Sequence, residues 1–160
     1  MNSIDAFLKF DGIDGESNRE GHENEIDVQG WSWIADNTVS RSAGGGSGVG
    51  QASAGDFSFT HFYDKASPTL AKALSMGRPI ATVTMTARKA GDGQQDFLKV
   101  TFKAVNITRI NPTGSAGGDI VEAVSFFYED IEFEYKPQDD KGALGGAVKF
   151  GWNIKTGAKR

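Results

Sequence analysis

Two tryptophans two residues apart, at the end of His22-Glu23-Asn24-Glu25-Ile26-Asp27-Val28-Gln29-Gly30-Trp31-Ser32-Trp33, constrain this chain more than any other feature. In a β-strand that spacing puts both indoles on one face and Ser32 on the other. Two rings of that size on one face require a core to cover them. Ile26 and Val28 share the opposite parity, and the phase changes at Gly30. A glycine at a change of phase predicts a β-bulge there, the device that bends strands in barrels and curled sheets.

Alternation recurs along the chain. Ile4, Ala6, Leu8 and Phe10 share a face, as do Phe57 and Phe59. Ala81, Val83, Met85 and Ala87 alternate with threonines and Arg88; Leu98, Val100, Phe102 and Ala104 alternate with lysines and Thr101. Val124, Phe126 and Tyr128 follow, then Ile131, Phe133 and Tyr135, and last Val148, Phe150 and Trp152. Asp11 to Ser17 reads as turn and loop, and Ser40 to Gly55 as a small-residue loop. One helix is predicted at about 67–76. Ser67 would cap it, Pro68 would take the first turn, and Leu70, Ala73 and Leu74 would form its inner face. Gly77 would end it and Pro79 would prevent its continuation. The expected fold is mainly β: a single domain over 1–160, a small β-barrel or curled two-sheet sandwich with one short flanking helix.

Composition excludes several functions. With 17 basic and 21 acidic residues the net charge is -4, which argues against the basic stripe that nucleic acid requires. The chain has no cysteine, so disulfides, thiolate catalysis and cysteine-ligated zinc are excluded. No apolar run approaches the ~20 residues of a membrane helix, so no membrane insertion is expected. The first ten residues lack a basic start followed by an apolar stretch, so the chain is expected to be made in the cytoplasm without a secretory signal.

Chemistry is hard to find. Gly45 and Gly50 have the outer spacing of a phosphate-binding loop, but Gln51 and Ala52 stand where Lys and Ser/Thr are needed. Asp11, Asp14 and Glu16 lack the calcium-loop pattern and read as a solvated turn. Two histidines, His22 and His61, cannot make a histidine-rich metal centre, and His61 reads as a core or rim residue. Gly46-Ser47-Gly48 has no strand and helix around it to form a nucleophile turn. Glu132 and Glu134 read as a hydrated strand face. No enzyme activity, catalytic residue, metal or cofactor is assigned.

Five segments, in order along almost the whole chain, resemble one family. Glu25-Ile26-Asp27-Val28-Gln29-Gly30-Trp31-Ser32-Trp33 resembles the early signature of the haemolysin-coregulated proteins, Hcp, of type VI secretion systems. Asp56-Phe57-Ser58-Phe59-Thr60 with Asp64-Lys65-Ala66-Ser67-Pro68 resembles the family's strand-to-helix segment. Arg88-Lys89-Ala90-Gly91, Tyr135-Lys136-Pro137-Gln138 and Gly151-Trp152-Asn153-Ile154 resemble later pieces. The resemblance implies a homohexameric ring with a wide hole, stacked into a tube inside a contractile sheath and under a valine-glycine repeat spike protein. Contraction would expel the tube, and small effector proteins would travel in its lumen. The protein would be cytoplasmic before firing and secreted without a signal peptide.

On that footing Ser32 is expected on the surface, facing the lumen. The segments 40–55 and 139–147 are expected to make subunit or ring-stacking contacts, with Gly44, Gly45, Gly46, Ser47, Gly48, Gly142, Gly145 and Gly146 as the contact residues. A phage-type tail tube protein shares this architecture. A monomeric ligand-binding barrel would instead need an empty interior, which the many aromatic residues would fill.

Overall fold

The computed structural model describes residues 4–38, 51–89, 95–139 and 141–160. These form nine strands and one helix: β1 Ile4–Phe10, β2 Ile26–Val28, β3 Gly30–Thr38, β4 Gln51–Phe62, α1 Ala66–Met76, β5 Ile80–Lys89, β6 Asp96–Thr113, β7 Val121–Phe127, β8 Asp130–Tyr135 and β9 Val148–Asn153. All pairings are antiparallel. One sheet runs β2-β1-β5-β6-β8-β9, the other β3-β4-β7-β6.

The strand β6 belongs to both. Its first half pairs with β5 and β8, and its second half, from Asn106, pairs with β7. The turn between sheets is written into its side chains. Phe102 is buried and so is Val105, three residues on, a change of parity at Ala104, whose φ is 52°. One long strand thus bends from one layer into the other. The expected fold takes its curled two-sheet form, and the strand order is an open path rather than a closed ring.

Aromatic rings fill the space between the layers. Phe57, Phe102 and Phe126 meet with centroids 4.8–5.2 Å apart, and Phe10, Phe59 and Tyr128 extend the cluster. Offset and edge-on pairs of this kind are worth about 0.5–1.5 kcal/mol beyond their area. The first sheet is covered outside as well. Phe7, on the outer face of β1, stacks on His22 at 4.3 Å, so the loop before β2 seals that face. This is why Phe7, Thr86 and Arg88 are buried although they sit out of phase with the core.

The helix starts one residue earlier than predicted, and Ser67 lies inside it. Asp64 does the capping: its Oδ1 accepts from the Ala66 N–H at 2.9 Å, while Ser67 Oγ accepts from the Asp64 N–H at 3.2 Å. Gly77 ends the helix as expected, in the left-handed conformation at φ 60°, with the Arg78 N–H bonded to the Ala73 carbonyl. Leu70 and Ala73 face the core, but Leu74 is exposed at the rim.

Other expectations shift. At Gly30 the chain changes sheets, β2 pairing with β1 and β3 with β4. The bulge in the β3–β4 pair comes later, between Trp33 and Ala35, and lies on β4, where Gly55 and Asp56 stand opposite Ile34. β4 begins at Gln51, so residues 51–55 are strand, not loop. In the outer strand β9 only Trp152 of the expected trio is buried; Val148 and Phe150 are exposed.

Candidate assembly surface

The four-stranded sheet β3-β4-β7-β6 combines two unpaired edges with two unlike faces. Its register sets Trp33 beside Phe57 and Phe57 beside Phe126, all toward the aromatic core. One residue out of phase, Ser32 lies beside Ser58, Ser58 beside Ser125, and Ser125 beside Arg109. The hydroxyls of Ser58 and Ser125 bond at 2.8 Å. Thr108 donates to Asp56 Oδ2 at 2.7 Å on this same face. Small polar side chains therefore pave the outer surface, and Ser32 is exposed within it, on the face away from the tryptophans.

Both edges of this sheet lack a strand partner among the described residues. β3 pairs only with β4, and β6 from Asn106 to Thr113 pairs only with β7. Each edge is eight or nine residues long. An edge this long is a template for another chain unless charge or proline blunts it. β3 has no lysine, arginine or proline, and its one charge is Asp36, whereas the β6 edge carries Arg109 and Pro112. Its tryptophans are not enclosed as the sequence suggested. Trp31 is 41% exposed although it stacks on Phe57, and Trp33 is half-buried. Both belong to an edge strand, where one flank of every side chain lacks a neighbour.

Hydrogen bonds hold this sheet to its core. Trp33 Nε1 donates to the Tyr128 hydroxyl, which donates to the Gly55 carbonyl at 2.9 Å. Burial raises the Tyr128 pKa above the usual phenol range, so the hydroxyl keeps its proton. His61 and Glu122, paired across β4 and β7, are both buried and meet at 2.8 Å. His61 Nδ1 lies 3.8 Å from Asp64, the residue that caps α1. Burial alone would lower the His61 pKa, but hydrogen bonding and charge from Asp64 and Glu122 outweigh it and the net shift is upward.

The two ends of the sheet differ. One presents Phe62, Tyr63, Ile120 and Val121, all exposed, with Phe62 opposite Val121. The other carries Thr38 and Gln51, which flank residues 39–50. Gly44, Gly45, Gly46, Ser47 and Gly48 lie outside the described residues. Gly142, Gly145 and Gly146 are exposed in the turn between β8 and β9. That turn has internal order: the Asp139 carboxylate accepts from the Lys141 and Ala143 N–H groups, and the Gly145 N–H bonds the Pro137 carbonyl.

The sequence reading missed the β6 edge and the His61–Glu122 pair. The first had a signal, the parity change from Phe102 to Val105. The second had none, because two residues 61 apart meet only through sheet register.

The fold defines a curled β protein with a polar-faced sheet whose two edges lack strand partners among the described residues. The family profile described as "Type VI secretion system effector, Hcp" matches residues 7–135. Protein hcp1 of Pseudomonas aeruginosa is 38% identical over 156 residues, covering 96% of each chain. Among solved structures, Hcp1 of Salmonella typhimurium superposes with a TM-score of 0.82 at 32% identity, covering 99% of both chains. A structure described as a type six secretion system protein reaches 0.93 at 30% identity, covering 99% of this chain and 100% of its own. A type VI secretion system effector from Yersinia pestis reaches 0.75 at 30% identity, covering 94% and 100%. The chain belongs to the Hcp family of type VI secretion tube proteins.

Proposed function

We propose that this chain is the repeating subunit of a type VI secretion inner tube, with six copies per ring. The observation that carries the reading is the pair of free edges on one sheet. In a ring whose axis relates the copies, every copy of β3 points the same way. Within the sheet the directions alternate along β3, β4, β7 and β6. An even number of strands means that β6 of one subunit runs opposite to β3 of the next. The join is then antiparallel like every other pairing, and the contact is heterologous, as ring closure needs. Six copies give a continuous cylinder of sheet.

The polar face carrying Ser32, Ser58 and Ser125 lines the passage in this arrangement, and the aromatic core lies behind it. Small hydroxyl side chains leave the bore smooth for effector cargo. Ring stacking brings the end with residues 39–50 toward the apolar end at Phe62 and Ile120 of the next ring, with Gly44, Gly45, Gly46, Ser47 and Gly48 at the contact. The turn with Gly142, Gly145 and Gly146 takes contacts between neighbours. Around the tube would stand the contractile sheath and above it the valine-glycine repeat spike; the role is structural, without turnover. The subunit waits in the cytoplasm and leaves through the machine it helps to build.

The test uses the absence of cysteine. Cysteines placed on β3 at Ala35 or Asn37 and on β6 at Asn106 or Asn111 should give a disulfide ladder ending at six subunits. Light scattering should report a six-fold multiple of 17.1 kDa. A lone 17.1 kDa species at high concentration, with no annular particles by electron microscopy, would end the proposal. Deleting Gly44 to Gly50 should weaken stacking and leave the fold intact.

A further inference from the structure

The other sheet also ends in an edge, β9, and residues 158–160 close it. After Asn153 a tight turn forms: the Asn153 side chain accepts from the Thr156 N–H at 2.9 Å, and the Gly157 N–H reaches the Asn153 carbonyl at 2.8 Å. Residues 158–160 then run back antiparallel along β9. The Asn153 N–H donates to the Ala158 carbonyl, and Gly151 and Arg160 exchange both backbone bonds at 2.9 Å. Outward-facing N–H groups alternate along a strand. Closing Gly151 and Asn153 leaves only Lys149 facing outward among the described residues of β9, and lysine is itself a residue that blunts an edge.

The side chain of Arg160 fastens the segment. It folds back across β9 and grips Asp130 on β8 with two bonds, 2.8 and 2.7 Å, and reaches Glu132 at 3.2 Å. The path runs over Gly151. A Cβ at that position would stand 2.6 Å from Arg160 Cζ and Nε, so any larger residue would make the Arg160 side chain shift from this path. Lys159 lies over the Trp152 ring at 5.7 Å. A two-pronged grip on a carboxylate is the geometry that gives an exposed ion pair a defined position.

We propose that residues 158–160 are a strap that seals the β9 edge, so that, the three-residue β2 aside, the β3 and β6 edges are the ones left to join subunits. This rests on the reading that those two edges make the ring. Without the strap, β9 would offer a further, apolar-flanked edge, beside exposed Tyr135, Val148 and Phe150, to which another copy's β3 could add. A second heterologous contact of this kind competes with the ring contact and, unless its rotation closes, builds open chains of molecules instead of rings. The strap thus acts as a determinant of assembly specificity, with Arg160, Gly151 and Asp130 as its parts.

The experiment compares the full chain, a variant lacking residues 158–160, and Arg160→Ala. Amide exchange at Gly151 and Asn153 should rise at least ten-fold on deletion and less in Arg160→Ala. Both variants should form polydisperse, thioflavin-binding particles beside rings, and a reporter pair with Lys149→Cys on β9 and Asn37→Cys on β3 should form intermolecular disulfides in them and not in the full chain. Rings alone from the deletion variant, unchanged exchange, or particles without the Lys149→Cys to Asn37→Cys cross-link would overturn the proposal. Failure of the full chain to form rings would instead sink the tube reading, while exchange and cross-linking still report the strap.

Discussion

Trp33 and Tyr128, 95 residues apart in sequence, share a hydrogen bond that ties the edge strand β3 to the turn after β7. Trp33 donates to the hydroxyl, and the hydroxyl passes the bond on to the Gly55 carbonyl. The relay matters because β3 is flanked by a strand on one side only. Its indole has few other anchors, and the same ring packs on Phe133 at 5.0 Å.

Tyr128→Phe removes both bonds of the relay and little else, since the phenyl ring keeps its place against Phe102. The Trp33 N–H and the Gly55 carbonyl would lose their partner near a buried site. Loss of such a pair costs about 1–3 kcal/mol. The expected result is a lower thermal midpoint together with faster amide exchange in β3. Unchanged stability would show that water replaces the hydroxyl.

His61 sets a pH dependence of stability. Its folded pKa is raised above the ordinary histidine value of about 6.5. The native state therefore holds this proton more tightly than the unfolded chain does. The resulting stabilisation is complete below about pH 6.5 and fades as pH rises through the folded value. His61→Gln should accordingly lose more stability at pH 6 than at pH 9, read as urea midpoints across that range. A penalty that grew with pH would reverse the assignment. Because Asp64 caps α1, the helix signal in circular dichroism should report the same trend.

Much of this fold is legible in the chain because alternation records burial directly. Val83, Met85, Phe102, Phe126 and Ile131 were each in phase and each is buried. Reading fails where a strand is covered on both faces or on neither. Phe7 and Arg88 are buried by a loop whose approach no local pattern announces. Trp31, Val148 and Phe150 look like core residues and sit on edge strands, and edge position is a property of topology. The capping of α1 misled for a related reason: Ser67 is a good cap by type, yet Asp64 is three residues upstream and does the work. The exposure of Ser32 was legible from parity alone, whereas the unpaired half of β6 required knowing where β8 stops.

Gly55 and Ile34 face each other at the bulge where β4 pairs with β3. A Cβ added at Gly55 would stand 2.6 Å from Ile34 Cγ2 and 3.2 Å from the Ile34 carbonyl oxygen. Overpacking of this kind costs about 1–3 kcal/mol. Gly55→Ala should destabilise the protein by that amount, and Ile34→Ala should relieve most of it, because Ile34 is exposed and its side chain is the nearer obstacle. The double-mutant cycle should therefore show a favourable interaction between the two substitutions. Additive penalties would mean that the carbonyl, not the side chain, holds the bulge.

Trp31 supplies an optical reading of assembly. Its ring is 41% exposed on the free edge of β3, whereas Trp152 is 8% exposed. A neighbouring subunit adding to that edge would cover Trp31 first. Emission should move to the blue as protein concentration rises, in step with molar mass by light scattering. The same titration in Trp31→Phe should show the mass increase with little colour change. Large aromatic side chains that become enclosed at an interface dominate its affinity, often by more than 2 kcal/mol. Trp31→Ala should therefore move ring formation to at least ten-fold higher concentration while leaving the subunit folded, since the exposed half of the ring contributes little to the monomer. Ring formation unchanged in Trp31→Ala, with emission independent of concentration in the parent, would place the subunit contact away from this edge.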